Sequence, residues 1–146
     1  MNITIRKAVY SDIDKICDIE SGGNALRNRQ QFIEELKLNF ATLVVIENGE
    51  DILGYAVFWR VADEIQLNNI GIKPECRRQG LGTLLLTHIM NNSYSPDFRP
   101  GKIILEVSSS NIPAVQFYKK NGFIEAGRRK NYYKNSDAIL MERGIG

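Results

Sequence analysis

Between residues 42 and 72 the chain carries three runs rich in β-branched, aliphatic and aromatic side chains, parted by two short polar breaks. No other stretch restricts its fold so severely. Residues 42–47 are β-branched and apolar, and Asn48-Gly49 is a dipeptide suited to the positive φ of a tight hairpin turn. Residues 52–61 form a long aromatic-rich run, and Asp63-Glu64 turns the chain into a third run over 65–72. Three strands joined this way form an antiparallel meander. Pro74 and the glycines near position 80 end it.

The flanking patterns complete an order of elements. Ile3 and Ile5 alternate with Thr4 and Arg6, which predicts a half-buried first strand. Ser11 sits where an N-cap would precede a helix carrying Ile13, Ile16 and Ile19 on one face. Gly22-Gly23-Asn24 breaks that helix, and a second is expected over about 28–39, with Phe32, Ile33, Leu36 and Phe40 at helical spacing. After the meander, Leu81, Leu84, Leu85, His88 and Ile89 mark a helix stripe, and 93–101 reads as a loop. A strand over 102–107 follows, then a helix capped by Asn111 and running to about Lys120, with Gly122 suited to the left-handed position just past its end. Two strands, 123–128 and 138–142, close the chain. The order β-α-α-β-β-β-α-β-α-β-β predicts a mixed α/β fold with helices on both faces of one mainly antiparallel sheet. The strand before Gly80 and the one from Lys102 are joined by a helix, so they are expected to be parallel neighbours. With no repeat or linker to divide it, the chain is expected to form one domain over 1–146.

Composition excludes several classes. At 43% hydrophobic and 25% charged, the chain is of globular type. A net charge of +2 selects no anionic partner by itself, so nucleic-acid binding would need a local cluster. Arg128-Arg129-Lys130 with Tyr132, Tyr133 and Lys134 is a cluster of that kind. Two cysteines without CxxC spacing and a single histidine predict neither a disulfide framework nor a metal site. No run approaches the ~18 apolar residues of a membrane span. No signal peptide is expected, and the chain reads as a soluble cytoplasmic protein.

The segment Arg77-Arg78-Gln79-Gly80-Leu81-Gly82 lies between a strand and a helix. Such a turn presents unpaired backbone N–H groups at the positive end of the helix dipole, where an anion is favoured. Glycines let a pyrophosphate approach the main chain, and arginines add cationic donors. By itself the pair of glycines fits an ordinary turn equally well. The three-glycine spacing and βαβ context of a dinucleotide fold are missing.

The segment resembles the Q/R-x-x-G-x-G/A signature of the GNAT acetyltransferases. Leu105-Glu106-Val107, Asn111, Ala114, Phe117-Tyr118, Asn121-Gly122-Phe123, Asn131-Tyr132-Tyr133 and Asp137-Ala138 are similar to the ribosomal-protein alanine N-acetyltransferase branch, the RimI type. The resemblance implies the GNAT sheet, with its two central parallel strands splaying apart, and acetyl-CoA as co-substrate. It implies that Ile70, Gly71 and Ile72 pair with the pantetheine and polarise the thioester carbonyl. The amides of Arg77, Arg78, Gln79, Gly80, Leu81, Gly82 and Thr83 would hold the pyrophosphate, and Asn111 and Tyr118 would lie near the sulfur. The implied acceptor is a primary amine, most simply a protein or peptide N-terminus, with the basic-aromatic stretch bordering its groove, Tyr132 and Tyr133 shaping the peptide slot, and no membrane or direct nucleic-acid partner. A small-molecule amine acetyltransferase and a non-catalytic acetyl-CoA-binding module are the alternatives. The loop between the first two helices departs from the branch: it reads Gly22-Gly23-Asn24-Ala25-Leu26-Arg27-Asn28-Arg29, basic and without tryptophan, which suits an acidic or carboxylate-bearing acceptor.

Acetyl transfer needs a neutral amine, and an α-amine of pKa about 7.7–8.0 or a lysine of about 10.4 begins protonated at neutral pH. Glu106 is the candidate base. It alternates against the apolar row Ile103, Leu105 and Val107, near the C-terminal end of a parallel strand, where such sheets bind ligands. The resemblance assigns it the same role. Delivering a proton to an ordinary glutamate is uphill by roughly 3.5 pKa units from an α-amine and roughly 6 from lysine, which favours the α-amine. Tyr118, seven residues after Asn111 and so on nearly the same helix face, is the candidate acid. Glu64 is a further candidate for acceptor contact or second base. His88 reads as structural, and Cys76 lacks a base partner.

Overall fold

The computed structural model describes residues 2–21 and 29–145. The expected break at Gly22-Gly23-Asn24 and the basic stretch through Arg27 lie outside the described residues. The chain runs β1 (Ile3–Lys7), a 3-10 turn (Tyr10–Asp12), α1 (Ile13–Ser21), α2 (Arg29–Lys37), β2 (Ala41–Asn48), β3 (Asp51–Val61) and β4 (Glu64–Ile72). A second 3-10 turn (Pro74–Cys76) then leads to α3 (Leu81–Asn92), β5 (Lys102–Ser108), α4 (Ile112–Lys120), β6 (Ile124–Tyr133) and β7 (Ser136–Gly144). The strands form a seven-stranded sheet in the order β1-β2-β3-β4-β5-β7-β6. It is mainly antiparallel, and the expected parallel pair is β4 with β5. That ladder covers only Glu64↔Lys102, Ile65↔Ile103 and Gln66↔Ile104, whereas β5 stays paired with β7 as far as Ser108↔Ala138.

The described residues group into two compact units: Met1–Arg60 with Asn68–Asn92, and Val61–Leu67 with Ser93–Gly146. The core of the first is built from Ile13, Ile16 and Ile19 of α1, Phe32 of α2, Leu43 and Val45 of β2, and Ile52, Tyr55 and Val57 of β3. Residues 43–46 and 52–58 are buried at every position, so β2 and β3 are covered on both faces there. Gly54 and Gly71 let β3 and β4 approach closely. A Cβ on Gly54 would stand 2.7 Å from the Gly71 carbonyl oxygen, and one on Gly71 would stand 2.6 Å from the Tyr55 ring. The second unit buries Ile65, Leu67, Ile103, Leu105, Val107, Tyr118, Phe123, Ile139 and Met141.

Three local expectations are corrected. Ser11 lies inside the 3-10 turn rather than capping α1. The Asp12 carboxylate instead accepts the Val9 N–H at 2.8 Å, while Arg6 holds that carboxylate through Nη1 at 2.7 Å and Nη2 at 3.0 Å. Phe40 falls beyond the end of α2 and packs edge-on against Trp59, with ring centroids 5.2 Å apart. In α3, Leu84 is 46% exposed and Leu86 is buried with Leu81, Leu85 and Ile89. At about 100° per residue, Leu84 falls roughly 60° to one side of Leu81, outside the arc that Leu85, Ile89 and Leu86 complete on the other. The last two strands also run longer than expected, because a bulge at Asn131 (φ +55°) keeps the basic-aromatic stretch within β6.

Asp12 carries a prediction. Its hydrogen bonds from Arg6 lower its pKa against the opposing effect of burial. A carboxyl with a depressed folded pKa stabilises the fold above its unfolded value, and that contribution is lost as pH falls through the folded one. Asp12→Ala is expected to cost about 2 kcal/mol at neutral pH and roughly 4–8 °C in Tm, with the gap from wild type closing in acid. Thermal melts at pH 7 and pH 3 check it; a gap independent of pH would refute the ion-pair account.

Candidate active site

In the first unit, β4 delivers Ile70, Gly71 and Ile72 to a short connection. Lys73 turns away from the strand, its N–H donating to the Leu53 carbonyl at 2.8 Å and its ammonium pairing with Asp51 at 2.9 Å. The 3-10 turn follows, and the Arg77 Nε reaches back to donate to the Ile72 carbonyl at 3.2 Å. That bond ties the strand end to the turn. Arg78 has φ +62° and Gly80 φ +81°, and Gln79 between them does not adopt positive φ. Alternation of this kind points successive N–H groups into one concavity, an arrangement that binds anions. A Cβ on Gly80 would meet nothing within 4 Å, so the backbone there is open to a ligand. Leu84 N–H bonds the Gly80 carbonyl at 3.0 Å, which starts α3 and leaves the amides of its first turn without partners inside the helix. The turn thus lies between β4 and α3, as the sequence indicated, with an alternating backbone and an open glycine.

In the second unit, β5 alternates as expected: Ile103, Leu105 and Val107 are buried and Glu106 is exposed on the other face. Asn111 caps α4, its Oδ1 accepting the Ala114 N–H at 3.3 Å. Tyr118 lies in the last turn, packed edge-on against Phe123 with centroids 5.5 Å apart and against Phe117 at 5.3 Å. Burial pushes its phenol up to about 12. Gly122 (φ +89°) closes the helix, and Phe123 N–H returns to the Tyr118 carbonyl at 3.0 Å, fixing the backbone that carries the phenol.

Other candidates are placed differently. Glu64 pairs in register with Lys102, whose ammonium lies 3.5 Å from Glu64 and 3.1 Å from Glu142. Glu106 lies four residues further along β5, about 13 Å away at the rise of a strand. The register thus separates Glu64 from Glu106. His88 is half-buried, and burial pushes its imidazole pKa down. Among the described residues no group of three His, Cys, Asp or Glu side chains could hold a metal ion, and no helix is long and apolar enough to cross a membrane.

Sequence reasoning missed the surroundings of Glu106. Arg129 of β6 approaches it, Nε to Oε2, at 3.7 Å, and the same guanidinium lies 5.4 Å from the centre of the Tyr132 ring. Burial first, and then the Glu106 charge, push the Tyr133 phenol up. The bulge holding these groups is pinned by Asp137. Its Oδ1 accepts the Asn131 N–H at 2.9 Å, its Oδ2 accepts Arg128 Nη1 at 3.1 Å, and its own N–H donates to Ser109 Oγ at 2.9 Å. Arg128 also bonds Glu125. Two of the cations in the supposed nucleic-acid cluster are therefore held within the protein. The Asn-Tyr-Tyr and Asp-Ala spacing could have signalled the anchor, but only the register of β5, β7 and β6 brings Arg129 to Glu106.

Comparison with known proteins gives this geometry a context. Residues 10–123 match the acetyltransferase (GNAT) family. A Bacillus subtilis (strain 168) protein provisionally named a ribosomal protein bS18-alanine N-acetyltransferase is 38% identical over 141 residues, covering 94% of this chain and 92% of that one. The Escherichia coli (strain K12) ribosomal protein bS18-alanine N-acetyltransferase is 31% identical over 143 residues, covering 94% and 95%. The crystal structure of the ribosomal-protein-S18-alanine N-acetyltransferase from Escherichia coli superposes with a TM-score of 0.86 at 29% identity, covering 99% of this chain and 95% of that one. The chain belongs to the GNAT family of acetyltransferases and is an N-acetyltransferase.

Proposed function

We propose that this enzyme transfers the acetyl group of acetyl-CoA to the N-terminal α-amine of a protein or peptide, and that residues 1–146 work as a single acetyltransferase domain. Likeness over nine-tenths of both chains to proteins named for alanine N-acetylation of a ribosomal protein carries the acceptor class. The reaction is assigned to the cytoplasm, where such acceptors are made.

Each residue then has a task. The alternating backbone at Arg78–Gly80 and the first amides of α3, through Gly82 and Thr83, take the pyrophosphate, with Arg77 bracing the turn from Ile72. The N–H groups of Ile70–Ile72 hold the pantetheine and polarise the thioester carbonyl. Asn111 has its Oδ1 committed to capping α4, so it meets the ligand through its amide NH₂. Glu106 removes a proton from the acceptor ammonium. The amine nitrogen attacks the thioester carbon, the C–N bond forms and the C–S bond breaks. The nitrogen gives up a second proton, and the departing sulfur, hydrogen-bonded by the Tyr118 hydroxyl, ends as a thiol; one proton is released overall.

Incubation with acetyl-CoA and a library of short peptides, read by mass spectrometry and thiol release, tests the proposal. Acetylation confined to peptide N-termini, strongest where alanine is first, is expected. Turnover of spermidine or free amino acids without any acetylated peptide would overturn it.

A further inference from the structure

The pairing of Arg129 with Glu106 bears on the acceptor itself, on the reading that Glu106 receives the α-ammonium. Glu106 sits on β5 between Ile104 and Ser108 on the same face. Opposite it on β7 is Leu140, which brings no charge. From β6 come the Tyr133 phenol and the Arg129 guanidinium, so Arg129 is the one cation in an ion pair with this carboxylate among the described residues. The register explains its reach. Arg129 pairs with Ala138 of β7, and Ala138 pairs in turn with Ser108 of β5. The small Ala138 side chain lets the arginine cross β7 toward Glu106.

Glu106 and Arg129 offset one another in charge. An acceptor ammonium that takes Glu106 leaves Arg129 without its counter-charge, its side chain 57% exposed. Arg128 and Lys130 do not change this balance, because Glu125 holds Arg128 and Asp137 feels both cations. Once Glu106 is occupied, the bulged end of β6 presents excess positive charge immediately beside the acceptor's amine. Only an acceptor bringing its own carboxylate restores the balance.

We propose that Arg129 is a specificity-determining residue that exchanges Glu106 for a carboxylate on the acceptor, so that the preferred substrate is a peptide whose second residue is acidic. The internal ion pair is replaced by two intermolecular ones, ammonium to Glu106 and carboxylate to Arg129. Tyr132 gives the guanidinium a surface to rest on during the exchange, since a cation over an aromatic face is stabilised without a counter-ion.

The test uses the full chain with acetyl-CoA and three peptides alike except at the second position: Ala-Glu, Ala-Gln and Ala-Lys. Wild type is expected to favour Ala-Glu over Ala-Lys by about five-fold in kcat/KM, the size a single exposed ion pair allows, through KM rather than kcat. The preference should shrink as salt is raised. In Arg129→Gln it should fall below two-fold, and Arg129→Lys should keep it. A purely structural arginine would alter all three peptides together. Equal rates in wild type, or a preference for Ala-Lys, or an unchanged preference in Arg129→Gln, would overturn the inference while leaving N-terminal acetylation intact. Acetylation of none of the three would overturn both.

Discussion

Glu106→Gln is expected to lower kcat by about 10²–10⁴-fold at pH 7, the usual contribution of a general base, with the KM for acetyl-CoA unchanged. The substitution keeps the size of the side chain and removes its negative charge and its capacity to take a proton. Glu106 lies on the exposed face of β5, away from the buried row of Ile103, Leu105 and Val107, so the fold has little stake in its charge. The deficit should depend on pH in a way that identifies the acceptor. An α-ammonium of pKa about 7.7–8.0 is mostly neutral by pH 9, and the variant should then recover roughly seven-fold relative to wild type. A lysine acceptor of pKa about 10.4 would instead keep gaining about tenfold per pH unit, about a hundred-fold by pH 9, with no plateau. A kcat unchanged at pH 7 would remove Glu106 from the chemistry.

Tyr118→Phe is expected to lower kcat by about ten- to a hundred-fold, with thermal stability close to wild type, because its ring contacts with Phe117 and Phe123 survive the loss of the hydroxyl. Burial changes the task of this residue from the one an ordinary phenol would perform. With its pKa pushed up to about 12, Tyr118 stays protonated at any working pH. Complete transfer of its proton to a thiolate whose thiol has a pKa near 8.5 would be uphill by roughly 3.5 units, or about 5 kcal/mol. On the proposed assignment the hydroxyl would therefore act as a permanent hydrogen-bond donor to the sulfur as charge builds there, and the final proton would come from solvent. The wild-type kcat profile should accordingly show no alkaline limb from Tyr118 below pH 10.5. A limb near pH 9–10 that disappears in Tyr118→Phe would restore full proton transfer.

Much of this was legible in the sequence, for identifiable reasons. Alternation within β5 and the Asn111 cap are decided by neighbours a few residues away and stand where the local pattern puts them, whereas the first hairpin turns one residue later than Asn48-Gly49, through Gly49 and Glu50, with Asn48 paired to Asp51. The turn before α3 was legible as a location, but its left-handed residue at Arg78 was not, since arginine has no preference for positive φ. Ser11 failed as a cap because Asp12, fixed by Arg6 from a different strand, supplies the better acceptor. The same limit hid Arg129: its meeting with Glu106 depends on two strand registers and a bulge at Asn131, none of which leaves a periodic trace. Glu64 looked like a companion to Glu106 only until pairing with Lys102 set its distance along the strand.

The short parallel ladder has a consequence for how the protein is made. Glu64–Gln66 leave the ribosome well before their partners Lys102–Ile104, which at about 5–20 residues per second means a wait of a few seconds. Ile65 and Leu67, fully or nearly buried at the end, are translated long before the strand that pairs beside them. Neither unit is a continuous piece of chain, so the second cannot begin to close until the first has been almost entirely synthesised. Mutations that slow the first unit would therefore show up as aggregation of the nascent chain through the open edge of β4, before any loss of activity in the finished enzyme.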